Sequence, residues 1–244
     1  MRDGQIRARV QTRHRVVERT LIIDLGGRRR VLSSAPHGGG FTLASYILNH
    51  QVEAHPSENG CRPTHFPNPS RTLRILADRL GVGKDTVGLM TAVPMTQLVR
   101  ARARVGDLWV ECFATVGVTN AVCAGEWPTA HTQRKSTAHP GTINLILITN
   151  GHLSHAALVG TVQVATEAKT GLLREYAVPS CQSQATATGT GTDAVVIASQ
   201  LRGQGPLYQY SGTHTIIGAL MGQVVAHCVA EGLEKAKAWQ KRHQ

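Results

Sequence analysis

The spacing of apolar residues changes period several times along this chain, and each change predicts an element. Two short runs of β-type alternation, at 21–25 and 30–34, are separated by Gly26-Gly27, a pattern that predicts a hairpin. The stretch 70–80 switches to helical spacing, with Leu73, Leu76, Ala77 and Leu80 on one face and Gly81 as a stop. Residues 86–93 and 108–118 read as strands. In 141–150 the apolar run Ile143, Leu145, Ile146, Leu147 and Ile148 is nearly unbroken, as expected of a strand buried on both faces. Asn150-Gly151 turns the chain, and Ser154 can cap a helix that runs to about Leu173, with Leu158, Val162, Ala165 and Leu172 inward. A further buried strand is expected at 194–198. A long helix at roughly 213–241, basic from Lys235, completes the pattern. Strands precede helices in the first half and alternate with them in the second. The fold class this predicts is α+β: a layered mixed or antiparallel β-sheet flanked by helices, with a long C-terminal helix.

Length and charge refine this picture. The chain has 244 residues, 41% of them hydrophobic, enough for one sizeable domain. Its net charge of +11 is uneven: residues 1–30 hold nine Arg against three acids, whereas 105–230 hold five bases against six acids. Aromatic residues make up 4% and offer no stacking platforms beside a basic groove, so no nucleic-acid partner is expected. Residues 1–19 read as a basic arm, a solubility feature or frayed tail, ahead of a single domain at 20–242. No run reaches the ~18 apolar residues of a membrane helix. The first five residues lack the apolar run of a signal peptide. The expected compartment is cytoplasmic, with no membrane partner. Five cysteines without a C-x-x-C pair suggest reduced thiols, and 54–70, with four prolines, an irregular surface loop.

Three stretches depart from ordinary core. In Thr186-Ala187-Thr188-Gly189-Thr190-Gly191-Thr192-Asp193, threonine recurs at every second position. An extended chain would put those hydroxyls on one face and nearly bare backbone on the other, with Asp193 at the mouth of the next strand. That is either a surface for a polar ligand or a Thr-rich edge strand with a turn. In Tyr210-Ser211-Gly212-Thr213-His214-Thr215, Thr213 or Ser211 can cap the last helix. His214 would then project from the first turn, as a structural histidine or towards a cleft. Gly218 and Gly222 each cost ~1 kcal/mol relative to Ala in a helix. They imply close packing, either within the chain or between two copies in a homodimer. In Thr115-Val116-Gly117-Val118-Thr119-Asn120-Ala121-Val122-Cys123-Ala124-Gly125, Asn120 is either an ordinary turn residue or a donor to a developing oxyanion. Cys123 has no neighbour that would lower its pKa and reads as a buried thiol. Glu167 borders the apolar face of its helix, as a solvated edge residue or a site carboxylate.

These stretches, in this order, resemble the adenosylcobinamide amidohydrolase family (CbiZ). The likeness is carried by T-V-G-V-T-N-A at 115–121, H-P-G-T-I-N-L at 139–145, T-E-A-K-T at 166–170, A-T-G-T-G-T-D at 187–193 and Y-S-G-T-H-T at 210–215. L-S-S-A-P-H-G-G-G at 32–40, I-L-N at 47–49 and G-L-M-T-A at 88–92 add to it, and together they span roughly 20–230. The resemblance implies an enzyme of corrinoid salvage that cuts the aminopropanol amide of adenosylcobinamide, giving adenosylcobyric acid and 1-amino-2-propanol. A non-catalytic corrinoid-binding protein is the alternative.

Amide hydrolysis needs an activated attacker, a donor for the oxyanion and an acid for the leaving amine. The motif positions offer His214 as base and acid, Asp193 to orient it or hold water, Asn120 as oxyanion donor and Glu167 as a further carboxylate. Substrate binding is expected at Ser34, Gly38, Gly39, Asn49, Thr91, Thr119, Asn144, Thr188, Gly189, Thr190, Gly191, Thr192 and Thr213. The glycines would let a flat corrin approach the main chain. Thr190, Thr192 or Thr213 would position substrate amides or act as a nucleophile. No cofactor is expected. A metal at Asp193, Glu167 and His214 stays open, although no H-x-x-x-H or H-x-x-E spacing surrounds them. A self-cleaving threonine at Gly141-Thr142 or Gly189-Thr190 also stays open.

Overall fold

The computed structural model describes residues 6, 7, 9–52, 68–83, 85–127 and 141–243. Most of the expected 54–70 loop, with Cys61, lies outside these residues, as do His139 and Pro140. The strands are β1 (Arg13–Val17), β2 (Thr20–Ser33), β3 (Gly40–Gln51), β4 (Thr86–Thr91), β5 (Val99–Val105), β6 (Leu108–Val116), β7 (Ala121–Val122), β8 (Ile143–Thr149), β9 (His152–Leu153), β10 (Gly189–Thr190), β11 (Ala194–Ser199) and β12 (Leu207–Tyr208). The helices are α1 (Pro69–Arg79), α2 (His155–Glu175) and α3 (Ile216–His243). An eight-stranded mixed sheet runs β4-β3-β2-β11-β8-β6-β5, with β1 added on β2. The class is α+β, with the long C-terminal helix the sequence predicts.

One unit sets the geometry that matters below. β8 and β11 are parallel, Ala194 opposite Asn144 and Ala198 opposite Ile148, and α2 makes the crossover between them. α2 starts where the sequence predicts, because the Ser154 side chain accepts from Ala157 N. Its buried stripe, Ala157, Leu158, Thr161, Val164, Ala165, Lys169 and Leu173, packs with α3 on one face of the sheet. On the other face β2, β3 and β4 curl over Phe113, Ile146, Ile148, Val196 and Ala198 to form a second core. α1 closes the outer side of that curl through Leu73, which meets Gly88, and Ala77.

Three expectations change. The runs at 21–25 and 30–34 are not a hairpin but one strand, β2, both halves pairing with β3 across a register shift between Asp24 and Arg29. Gly26 and Gly27 adopt φ of 71° and 138°, which lets the chain loop out and resume its direction instead of reversing. The basic arm is not frayed over its described length. Arg7 exchanges backbone hydrogen bonds with Arg102 on β5, and β1 takes over the edge of β2. Gln11 N–H and Thr12 N–H both donate to Glu111, a fully buried carboxylate that also holds Arg102. Third, α3 is long and apolar enough, by length and composition, to cross a membrane, and 56% of that apolar window is buried inside the molecule. Cys112 and Cys228 are buried, and Cys123, expected to be buried, is half-buried, as is Cys181.

Candidate active site

At the amino-terminal ends of β8 and β11, the last turns of α2 meet the loops that follow β6 and precede β11. Asp193 sits at the centre. Its Oδ2 accepts from Lys169 Nζ at 2.5 Å and from Thr190 N–H at 3.1 Å. Its Oδ1 accepts from the Thr190 hydroxyl at 2.5 Å and from Ile143 N–H at 3.1 Å. Beside it the hydroxyls of Thr142 and Thr192 touch, and Thr192 Oγ1 also donates to Gly141 O. Gly189 fills the space next to the ion pair: a Cβ there would stand 2.6 Å from Asp193 Oδ2 and 2.9 Å from Lys169 Nζ.

A second polar layer lies beneath, inside the curl of the sheet. Asn144 Nδ2 donates to Asn49 Oδ1 and to Met90 O, and Asn49 Nδ2 donates to Thr115 Oγ1. Asn49, Asn144 and Thr115 are buried in an otherwise apolar core. Among the described residues, two amide oxygens, Asn144 Oδ1 and Asn120 Oδ1, are buried without a partner. An unsatisfied buried acceptor costs about 1–3 kcal/mol, so both oxygens call for a donor beyond the described residues. Asn120 stands in the turn after β6, where Ala121 N–H bonds Val118 O, and its Oδ1 abuts Gly141. Thr119 shares that turn, and its N–H faces Gly141 as well. Thr91 holds the bend after β4 by accepting from Val93 N–H. Ser34, at the end of β2, reaches the same corner and accepts from Val195 N–H.

Several roles given to these residues do not match their surroundings. The threonines do not form a free hydroxyl row. Thr188 accepts from Ala124 N–H, Thr190 donates to Asp193, and Thr192 is engaged with Gly141 and Thr142. Gly189 is buried against the ion pair, and Gly38 and Gly39 are packed against Thr86 O and Ala35 O, so none of the three presents open main chain. Gly191 alone among the expected glycines has open space around it. Glu167 is exposed, on the solvent side of α2, while Lys169 is turned inward. Two residues further on is about 200° around a helix, which explains the exchange.

The larger correction concerns His214. α3 begins at Ile216, and its cap is Thr215, whose hydroxyl accepts from Gly218 N–H, not Thr213 or Ser211. Ser211 is buried and donates to Ala157 O near the start of α2. His214 and Thr213 lie exposed in the preceding turn. That turn follows β12, which pairs with β9 just after the carboxyl end of β8, and Ser154 donates to Gln209 O. Asp193 stands at the opposite end of β11. Six strand residues rise about 20 Å, so His214 and Asp193 do not meet. The three residues considered for a metal, Asp193, Glu167 and His214, are therefore dispersed. Among the described residues no group of three or more His, Cys, Asp or Glu gathers elsewhere.

The His214 end has its own character. A groove of about 330 Å³ is lined by Val105, Asp107, Leu108, Asn150, Pro206, Tyr208 and Ile216. Nearby, Arg30 Nη1 donates to His152 Nε2 at 2.5 Å. Burial, then Arg30 and Arg202, hold the His152 ring below its ordinary pKa, which keeps Nε2 free to accept. Gly218 is required here: its Cβ would fall 2.1 Å from Gly212 O, so the close packing the sequence implies is met within the chain. Gly222 makes only an ordinary contact with Val164.

Lys169 is the polar group of the Asp193 corner that reading the motifs passed over, and Thr142, considered only for self-cleavage, packs its hydroxyl against Thr192. The signal for Lys169 lay in its spacing, four residues after Ala165 and four before Leu173, on the stripe that α2 buries.

The family model for adenosylcobinamide amidohydrolases matches residues 4–241. That span includes the N-terminal segment and most of the basic tail, which the motifs leave outside. A Methanosarcina mazei protein named adenosylcobinamide amidohydrolase is 30% identical over 228 residues, covering 91% of this chain and 97% of its own. A Halobacterium salinarum protein of the same name is 31% identical over 173 residues, 70% of each chain. An uncharacterised protein of Methanocaldococcus jannaschii, MJ1613, is 28% identical over 232 residues, 89% of this chain and 86% of its own.

Proposed function

This chain belongs to the adenosylcobinamide amidohydrolase family, and from that premise we propose that it hydrolyses the amide joining aminopropanol to the corrin side chain of adenosylcobinamide. The products are adenosylcobyric acid and 1-amino-2-propanol, which makes it an enzyme of corrinoid salvage. The cytoplasmic location expected from the sequence goes with this reading. The reaction is assigned to the corner around Asp193. The observation that carries this is convergence: 32–40, 47–49, 88–92, 115–121, 166–170, 187–193 and the described part of 139–145 all run into that corner. Only 210–215 lies elsewhere.

The corner has the chemistry for an amide-fringed substrate. Amide side chains of a corrin need neutral hydrogen-bonding partners, and the Asn120 and Asn144 oxygens, without a partner among the described residues, can accept from N–H groups. Thr192 and Ser34 are exposed at the rim. Asp193 positions the groups around it and does not act as a base in this reading, because its oxygens already take four donors. The test is incubation with adenosylcobinamide, with and without chelator, followed by mass detection of adenosylcobyric acid. Product formation that persists in chelator is expected. Tight corrinoid binding without product would overturn the hydrolase reading in favour of a carrier.

A further inference from the structure

Lys169 is surrounded unlike a residue placed for packing. It is 9% exposed, on the buried stripe of α2 between Ala165 and Leu173. Taking an ammonium out of water costs several kcal/mol unless it is well paired, and methionine would fill the same volume without that cost. One Nζ hydrogen goes to Asp193 Oδ2. Among the described residues nothing takes the other two. Asp193 has both oxygens filled, by Lys169 and Thr190 N–H on one and by the Thr190 hydroxyl and Ile143 N–H on the other. Such a carboxylate has no lone pair left to take a proton from water. It fixes the ammonium in place instead. The missing side chain at Gly189 keeps the space beside Nζ clear.

We propose that Lys169 is a catalytic residue: its ammonium, held by Asp193, donates to the oxyanion that forms when water adds to the substrate amide. This rests on the function proposed above. In the step, the water oxygen bonds to the amide carbon and the carbonyl π pair moves onto oxygen, where Lys169 neutralises it. Collapse re-forms the carbonyl and breaks the C–N bond. Both water protons end on the leaving nitrogen, giving a carboxylate and the ammonium form of 1-amino-2-propanol.

The experiment compares wild type, Lys169→Gln and the double variant Lys169→Met/Asp193→Asn. The first keeps a hydrogen bond to Asp193 but leaves its carboxylate without a countercharge; the second removes both charges together and so controls for that unpaired charge. Thermal midpoint, adenosylcobinamide binding and turnover are measured on each. Folded variants that bind within about threefold of wild type and lose at least about 100-fold in kcat are expected, the loss typical of a removed oxyanion donor. Either variant retaining kcat within tenfold makes the pair structural and overturns the assignment while leaving the function intact. Wild type without turnover overturns both.

Discussion

The two ends of the β8–α2–β11 unit solve opposite problems with similar residues. At the amino-terminal end, polar side chains are turned inward and bonded to one another: Asp193 to Lys169, Thr190 and Ile143, and Asn144 to Asn49 and Met90. At the carboxyl end, His214, Thr213 and Tyr210 face solvent above an open groove. The first end spends burial to fix charged and amide groups in one geometry, which is what preorganised catalysis requires. The second leaves its groups exposed to solvent. A histidine beside hydroxyls lies exposed at one end, whereas at the other a buried lysine meets a carboxylate with both oxygens occupied.

The largest effect that sharpens this contrast is expected at Asp193. Asp193→Ala strands Lys169 as a buried unpaired cation, and a loss of about 3–5 kcal/mol in denaturant unfolding is predicted, with turnover abolished. Next come the glycines. Gly218→Ala at the open end drives a Cβ into the backbone of Ser211 and Gly212, and should destabilise by about 1–3 kcal/mol while leaving kcat near wild type in the folded fraction. Gly189→Ala pushes Asp193 and Lys169 apart and should lower kcat more than it lowers the unfolding midpoint. Equal effects of the two substitutions on kcat would break the contrast.

A smaller effect follows from protonation. Burial first, then Arg30 and Arg202, lower the His152 pKa, and burial lowers those of His37 and His50. A histidine whose folded pKa lies below its unfolded value of about 6.5 adds stability that is complete above that value. The stability is lost as pH falls through it towards the folded pKa. The urea midpoint should therefore drop between pH 7.5 and 5.5, and His152→Gln, whose amide oxygen still accepts from Arg30, should flatten part of that slope. The smallest change belongs to Gly191→Ala, which meets nothing within 4 Å and should stay within about 0.5 kcal/mol of wild type.

Local signals in the sequence were reliable where one element decides the outcome. Ser154 caps α2 because its hydroxyl accepts from Ala157 N–H, and β8 is buried over its whole length as its apolar run predicts. β3 shows no clean alternation in its burial and leaves no strand signal to read. β5 alternates Val99, Ala101 and Ala103 with arginines, and the charges mask a strand whose Arg102 turns inward to Glu111. The N-terminal arm looks solvated by composition, yet its backbone amides serve Glu111, an interaction no side-chain pattern announces. The candidate site was legible as a set of motifs but not as an arrangement. Whether His214 or Lys169 joins Asp193 depends on which end of the crossover each loop occupies. That follows from strand order, and strand order is not written in periodicity.

The most direct test is to measure adenosylcobyric acid formation by His214→Ala and Asp193→Ala side by side at saturating adenosylcobinamide. The His214 variant is predicted to stay within about threefold of wild type and the Asp193 variant to fall by at least about 100-fold. Collapse of the His214 variant with retained turnover in the Asp193 variant would place the chemistry at the other end of the sheet and contradict the account.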